Sequence, residues 1–442
     1  MTVINGDIVF PFSSDSLRRL LGNSRQENYL LDYLSGLNAK TCVLEGEYID
    51  KDYLIDYQKF YARSFLEFKR FTKRIHFFTT DFSPDDFEKS LENGNVKYLQ
   101  ESYLGFVVVK PLEEHGDPLI IGRSILKTYP PKAGDGKRFF ISRDYYSSLF
   151  GIPLTVKSLP FQVQDQAVGG CATVALWSAI QPLADIFGTP KHSPAEITEL
   201  ATSFPSEFRA FPSMGLTWEQ MINYVRLIGL DIETIPCRDD NIISTAVKAY
   251  IKEMKLPLIG LLKFPEGWHA VVISGYQCDS RGKVTELYVH DDQIGPYSRV
   301  KPDGSFKFWK RNFKFWKNEW YRGKISLEKL LVPVYSKIRL TFPRIYSYYM
   351  GYYQRMMKEK AKFFRVDLDS ELFLTSIEEY KKFLLKNQVK DKIKILTYSL
   401  PRFIWIIRVY HENQPLLDWV HDGTSVYPHK SFLMSISYET KL

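Results

Sequence analysis

The residue of this chain best placed for covalent chemistry is Cys171. It follows Gly169 and Gly170 and opens an apolar run, Ala172 to Phe187, that predicts a buried helix. A thiol at a helix N-terminus meets the positive end of the macrodipole and unsatisfied N–H groups, and both favour the nucleophilic thiolate. Such a thiol needs a base that is near in space though distant in sequence. His269, within GWHAVVISGY, stands at the start of a predicted strand and can serve. Asp291 follows the next strand, LYVH, and could hold the imidazole in one tautomer. Asp292 is adjacent, and the residues alone do not choose between the two acids. Ahead of the cysteine, Gln164 or Gln166 could donate to a developing oxyanion, alongside the Cys171 backbone N–H. Taken singly, each of these residues reads as structural: a core cysteine, a strand-capping histidine, a turn acid, a loop amide. Their order along the chain makes them a set.

The elements that must position them are legible around the set. Ser193 in SPAEITEL is a predicted N-cap, with Pro194 at the first helical position and Glu196 three residues after the serine. Thr217 opens a second predicted helix, Leu216 to Leu227. Leu256 to Leu262, Ala270 to Tyr276 and Glu286 to His290 read as strands. Before this region, Asp50 to Lys73 has apolar residues at helical spacing and predicts one long amphipathic helix. Leu104 to Lys110 and Leu119 to Ile125 predict strands. After it, Leu327 to Gln354 and Ser376 to Asn387 are helix-like, and Lys394 to Tyr398 and Phe403 to His411 strand-like.

The order Gln, Cys-helix, His-Ala-Val strand, strand-Asp resembles the papain-like cysteine peptidases. It is most similar to those that trim double-glycine leaders from bacteriocins, and to their stand-alone relatives. LPFQVQDQAVGGCATVALWSAI matches the glutamine loop and nucleophile helix, and WHAVVISGY with LYVHDD matches the base and acid strands. The match covers roughly residues 155 to 300. It implies an α+β fold in which a nucleophile helix packs on an antiparallel sheet. It also implies a Cys171, His269, Asp291 triad with Gln164 at the oxyanion, acting on a peptide or isopeptide bond through a thioester. Two departures stand out. Ala172 occupies a position where the family usually has Gly, and Gln164 and Gln166 lie seven and five residues before the cysteine rather than six. An acyl transferase on the same fold, or a non-catalytic papain-like module in a bacterial defence or interaction protein, are the alternatives.

Length and composition frame this. With 442 residues the chain exceeds one ordinary domain, and we expect an N-terminal mixed α/β region (1–150), the peptidase-like domain (151–305) and a C-terminal α/β region (306–442). A net charge of +8 is mild for this length and does not indicate a nucleic-acid binder. The four cysteines form no CxxC pair, so no disulfide framework, zinc site or other cofactor is expected. No apolar run is long enough to span a membrane and no secretory leader is recognisable, so a cytoplasmic, bacterial protein with a protein or peptide substrate is expected. The basic, aromatic stretch from Phe306 to Lys324 is read as an anchoring or partner-binding segment. His411, His421 and His429 are expected to be surface residues.

Overall fold

The computed structural model describes residues 8–22, 25–112, 120–130, 136–165, 168, 170–203, 215–265, 267–302, 304–309 and 325–439. Gln166 and residues 310–324 of the aromatic stretch lie outside them.

Mixed helices and antiparallel sheets make up the chain. An eight-stranded sheet lies at the centre. Its main path runs Gly295–Val300, Val284–Asp291, Gly267–Cys278, Leu258–Phe264, Ile325–Tyr335, Phe308–Trp309. Lys137–Phe140 adds to the Gly267–Cys278 strand, and Leu230–Pro236 adds to Ile325–Tyr335. The helix Cys171–Phe187 packs against this sheet. Most of its residues from Ala172 to Leu183 are buried, including Trp177. Burying each large apolar side chain contributes roughly 1.5–3 kcal/mol, so the helix is held by packing rather than by a side-chain cap.

The sheet crosses the boundary expected after residue 305. Ile325–Tyr335 pairs with Leu258–Phe264 on one side and with Leu230–Pro236 on the other. This replaces the helix expected from Leu327 with a strand. The run LEKLLVPV is apolar at both periods, and only its place between two strands decides its conformation. Helical structure begins later, at Phe342–Tyr348, and continues through a π turn at Tyr349–Tyr353 into Gln354–Phe364.

The N-terminal five-stranded antiparallel sheet runs Val9–Pro11, Thr41–Tyr48, Thr72–Phe78, Tyr103–Lys110, Ile120–Leu126. The long helix expected from Asp50 to Lys73 is only Lys51–Lys59, with one 3₁₀ turn after it. The reason is tertiary: Tyr61 is buried, the Tyr53 hydroxyl donates to the Lys69 carbonyl at 2.7 Å, and Thr72 already belongs to a strand. The C-terminal sheet runs Asp369–Ser376, Phe403–His411, Gln414–Asp422, Phe432–Ser437. Lys394 to Tyr398, expected as a strand, lies largely in the helix Lys392–Thr397, whose Ile395 completes a small core with Tyr380 and Leu384. One larger core runs continuously from Phe10 through the Cys171 helix to Trp419, so all three regions share buried surface.

His421 is not a surface residue. It is fully buried, with Nε2 2.9 Å from the Tyr353 hydroxyl of the π turn and Nδ1 2.8 Å from Ser431 Oγ. Burial pushes its imidazole down from 6.5 to about 4. Between those values the unfolded chain binds a proton that the folded chain does not. The stability contributed is therefore complete above the unfolded value and is lost as pH falls through the window. His421→Phe strands the Tyr353 hydroxyl, while Ser431 keeps its bond to the Pro428 carbonyl, at a cost of about 1–3 kcal/mol near neutral pH. In urea unfolding, the gap between wild type and variant should be largest at pH 7.5 and narrower at pH 5.

Candidate active site

Gly170 is the N-cap of the Cys171 helix, and no side chain caps it. A Cβ at Gly170 would lie 3.2 Å from the Gly215 Cα, so a small residue lets the loop before the Thr217-capped helix approach the cysteine. Cys171 is half-buried, whereas Cys42, Cys237 and Cys278 are buried, and all four thiols are free. Burial pushes the other three thiols up, that of Cys237 to about 12.

His269 lies on the strand Gly267–Cys278, paired with Leu262 of the neighbouring strand. It is buried, and its Nε2 is 2.9 Å from Asp291 Oδ1 and 3.4 Å from Asp292 Oδ1. The Cys171 thiol is the smallest of the influences that raise the proton affinity of the same ring. Burial alone would push this imidazole down. The Asp292 and Asp291 charges, the hydrogen bond to Asp291 and the contact with Cys171 outweigh it and hold the ring well above its ordinary range. Asp291 is thus the hydrogen-bond partner, and Asp292 makes the larger electrostatic contribution. One ligand atom each of His269, Asp291 and Asp292 lies within 4.8 Å of the others.

The turn that carries the acids is braced from two sides. The Gln293 N–H donates to Asp291 Oδ1 at 3.0 Å, and the Ile294 N–H donates to the Asp291 carbonyl at 2.9 Å. Gly295 has φ 159°, and a Cβ there would fall 2.1 Å from the Tyr29 ring. Tyr29 belongs to the N-terminal helix Arg25–Gly36 and donates to the Pro296 carbonyl at 2.7 Å. Gln26 on the same helix reaches the Asp292 carbonyl at 3.4 Å.

Gln164 is half-buried in the segment that leads into the Cys171 helix. Its neighbour Asp165 is buried and accepts the Val168 N–H at 2.7 Å, an internal bond that shapes the approach to Gly170. Lys110, at the end of an N-terminal strand, lies 3.5 Å from Asp165 and 4.0 Å from Asp56, all three buried. Burial, only partly opposed by Lys110, pushes the Asp56 carboxyl up to about 7. Asp56 also accepts the Ala195 N–H at 2.9 Å. Val163 donates to the Ile121 carbonyl, and Phe161 bridges to Ser124. The structure therefore brings together Cys171, His269, Asp291 and Asp292, and it leaves Gln164 on the adjoining loop. Sequence reasoning missed Lys110, Asp56 and Tyr29. A lone lysine ending a strand carries no local signal of a buried partner.

Neither a protein-family model nor a curated protein matches the chain. Among solved structures it is similar to the peptidase domain of Streptococcus ComA, a bi-functional ABC transporter involved in a quorum-sensing pathway. The identity is 14%, over 39% of this chain and 96% of that one, with a TM-score of 0.25. No helix among the described residues is long and apolar enough to cross a membrane.

Removing one partner of a buried ion pair leaves its counter-charges stranded, at about 3–5 kcal/mol. Lys110→Ala should lose stability on that order in urea unfolding. A loss below about 1 kcal/mol would show that the Lys110 contacts do not hold the loop before Cys171.

Proposed function

We propose that the chain is a cysteine peptidase acting on a peptide or isopeptide bond, with Cys171 as nucleophile, His269 as base and Asp291 as the group that orients the base. The observation that carries this reading is that Cys171 opens a helix packed on the strand of His269, whose Nε2 is 2.9 Å from Asp291 Oδ1. In this reading His269 takes the thiol proton through Nδ1 and the sulfur attacks the substrate carbonyl carbon. The oxyanion meets the Cys171 N–H, one of the first-turn donors that has no partner within the helix, and the Gln164 amide. The imidazolium then protonates the leaving amine as the C–N bond breaks, leaving a thioester. A water gives its proton to His269 and attacks the thioester, releasing the acid and restoring the thiol.

Three further features support the reading. The elevated affinity of His269 for its proton suits a thiolate–imidazolium pair. The other cysteines are buried, so reactivity can be confined to one sulfur. Trp268, next to the base, is 55% exposed and so is not a core residue. Its ring, with the Lys263 ammonium 6.0 Å from the centroid, offers a wall for a substrate side chain.

Iodoacetamide labelling tests the proposal without a known substrate. At pH 6 an ordinary thiol, with pKa about 8.5, is almost wholly protonated. Cys171 should alkylate on the order of tenfold faster than free cysteine there. Cys171→Ala should abolish the fast phase, and His269→Ala should slow it to the free-thiol rate. A Cys171 no faster than free cysteine at pH 6 would end the peptidase reading.

A further inference from the structure

A small, partly open cavity lies behind the candidate site, between the Cys171 helix and the strands that carry His269 and the acids. Its volume is about 10 Å³, close to the lower limit for a single water. Val174, Ala175, Ala270 and Val272 form part of its apolar wall, and its polar lining comes from Gln162, Ser178, His290 and Asp292. None of its lining residues is Lys or Arg.

Two of those polar groups point to a ligand. Gln162 is 3% exposed and its amide nitrogen is buried without a hydrogen-bond partner. His290 is 4% exposed and its Nε2 is likewise without one. Its Nδ1 is 3.4 Å from Ser178 Oγ, which donates its own proton to the Pro160 carbonyl at 2.6 Å. Burial pushes the His290 ring down to about 3, so it is neutral near pH 7. Because the Ser178 hydroxyl gives its proton to Pro160, Nδ1–H donates to Ser178 Oγ and Nε2 is a lone-pair acceptor. The cavity thus presents one N–H donor, one imidazole acceptor and one carboxylate. A buried donor or acceptor left unmet is costly. A water meets both unpartnered groups: it accepts from Gln162 and donates one proton to His290, and its second proton is free to face the Asp292 carboxylate.

We propose that this cavity is a structural water site, and that Gln162, His290 and the water hold the Asp292 carboxylate beside His269 as a second positioning acid. The titratable groups facing that contact are Asp291 on the same turn, Cys171 at the helix start and His290 on the neighbouring strand position. Asp291 takes the imidazole N–H, while Asp292, 3.4 Å from the same nitrogen, adds charge rather than a short hydrogen bond. Gln162 thereby has a role distinct from the oxyanion amide. The inference rests on the peptidase reading for its catalytic consequence, but not for the water site.

Two measurements on the full chain test it. A high-resolution crystal structure should show one ordered water within hydrogen-bond distance of Gln162 Nε2 and His290 Nε2. NMR titration of the His269 Cε1–H should show the imidazole losing its proton at lower pH in Asp292→Asn than in wild type. Gln162→Leu, which removes the donor while keeping an apolar core, should shift the titration in the same direction. A dry cavity, or His269 titrating as in wild type in either variant, overturns the proposal. Failure of the peptidase reading looks different: the water and the titration shifts appear as described while Cys171 alkylates no faster than free cysteine.

Discussion

The arrangement depends on how one imidazole divides its two nitrogens. His269 and Asp291 sit on adjacent antiparallel strands, and the pairing of those strands brings a side chain near the start of one within 2.9 Å of a side chain at the end of the other. With Nε2 committed there, the proposed nucleophile Cys171 would have to be served by Nδ1. The helix carrying the cysteine must then pack across the same sheet with its N-terminus at that edge. The chain supplies this with a nearly all-apolar helix of 17 residues, ended by Gly188 in the left-handed conformation. A helix that buries almost every face has little freedom to rotate or slide. The sulfur is therefore placed by packing of the core far from it.

The flanking regions are part of this construction rather than appendages to it. On one side Lys110 and Asp56 meet Asp165 in the loop before the cysteine, and the Trp177 indole donates to Asp52 at 2.8 Å. On the other, Tyr29 and Gln26 close over the turn that follows Asp291 and Asp292. Buried charges contribute little net stability, but their geometry is demanding. The loops on both sides of the candidate site are held by N-terminal groups whose displacement would strand a charge or clash with Gly295. Toward the far end, Ile325–Tyr335 pairs within the sheet, and the chain passes from it through helices to the C-terminal sheet.

Cys171, His269 and the Asp291–Asp292 pair stand out as candidates in the sequence because each type has a narrow chemical use and each is flanked by a strong local signal. Those signals are an apolar helix and two β-branched strands. The capped helices after Ser193 and Thr217 were legible for the same reason, and both show the reciprocal capping bonds. The misread segments are those where local pattern admits two conformations. Leu327 to Val334 and Lys394 to Tyr398 are short apolar or alternating runs, and neighbours in space settle them.

The sequence by itself determined the order of chemical groups and the mixed helix-and-sheet character, because residue type and periodicity are local properties. It could not rank Asp291 against Asp292, assign Gln162 a place, or pair Lys110 with Asp165. These are contacts between segments far apart in the chain, and a carboxylate's role depends on which atoms lie within about 4 Å of it. Only the tertiary structure put both acids against one ring, and it made Asp291 the hydrogen-bond partner and Asp292 the nearby charge.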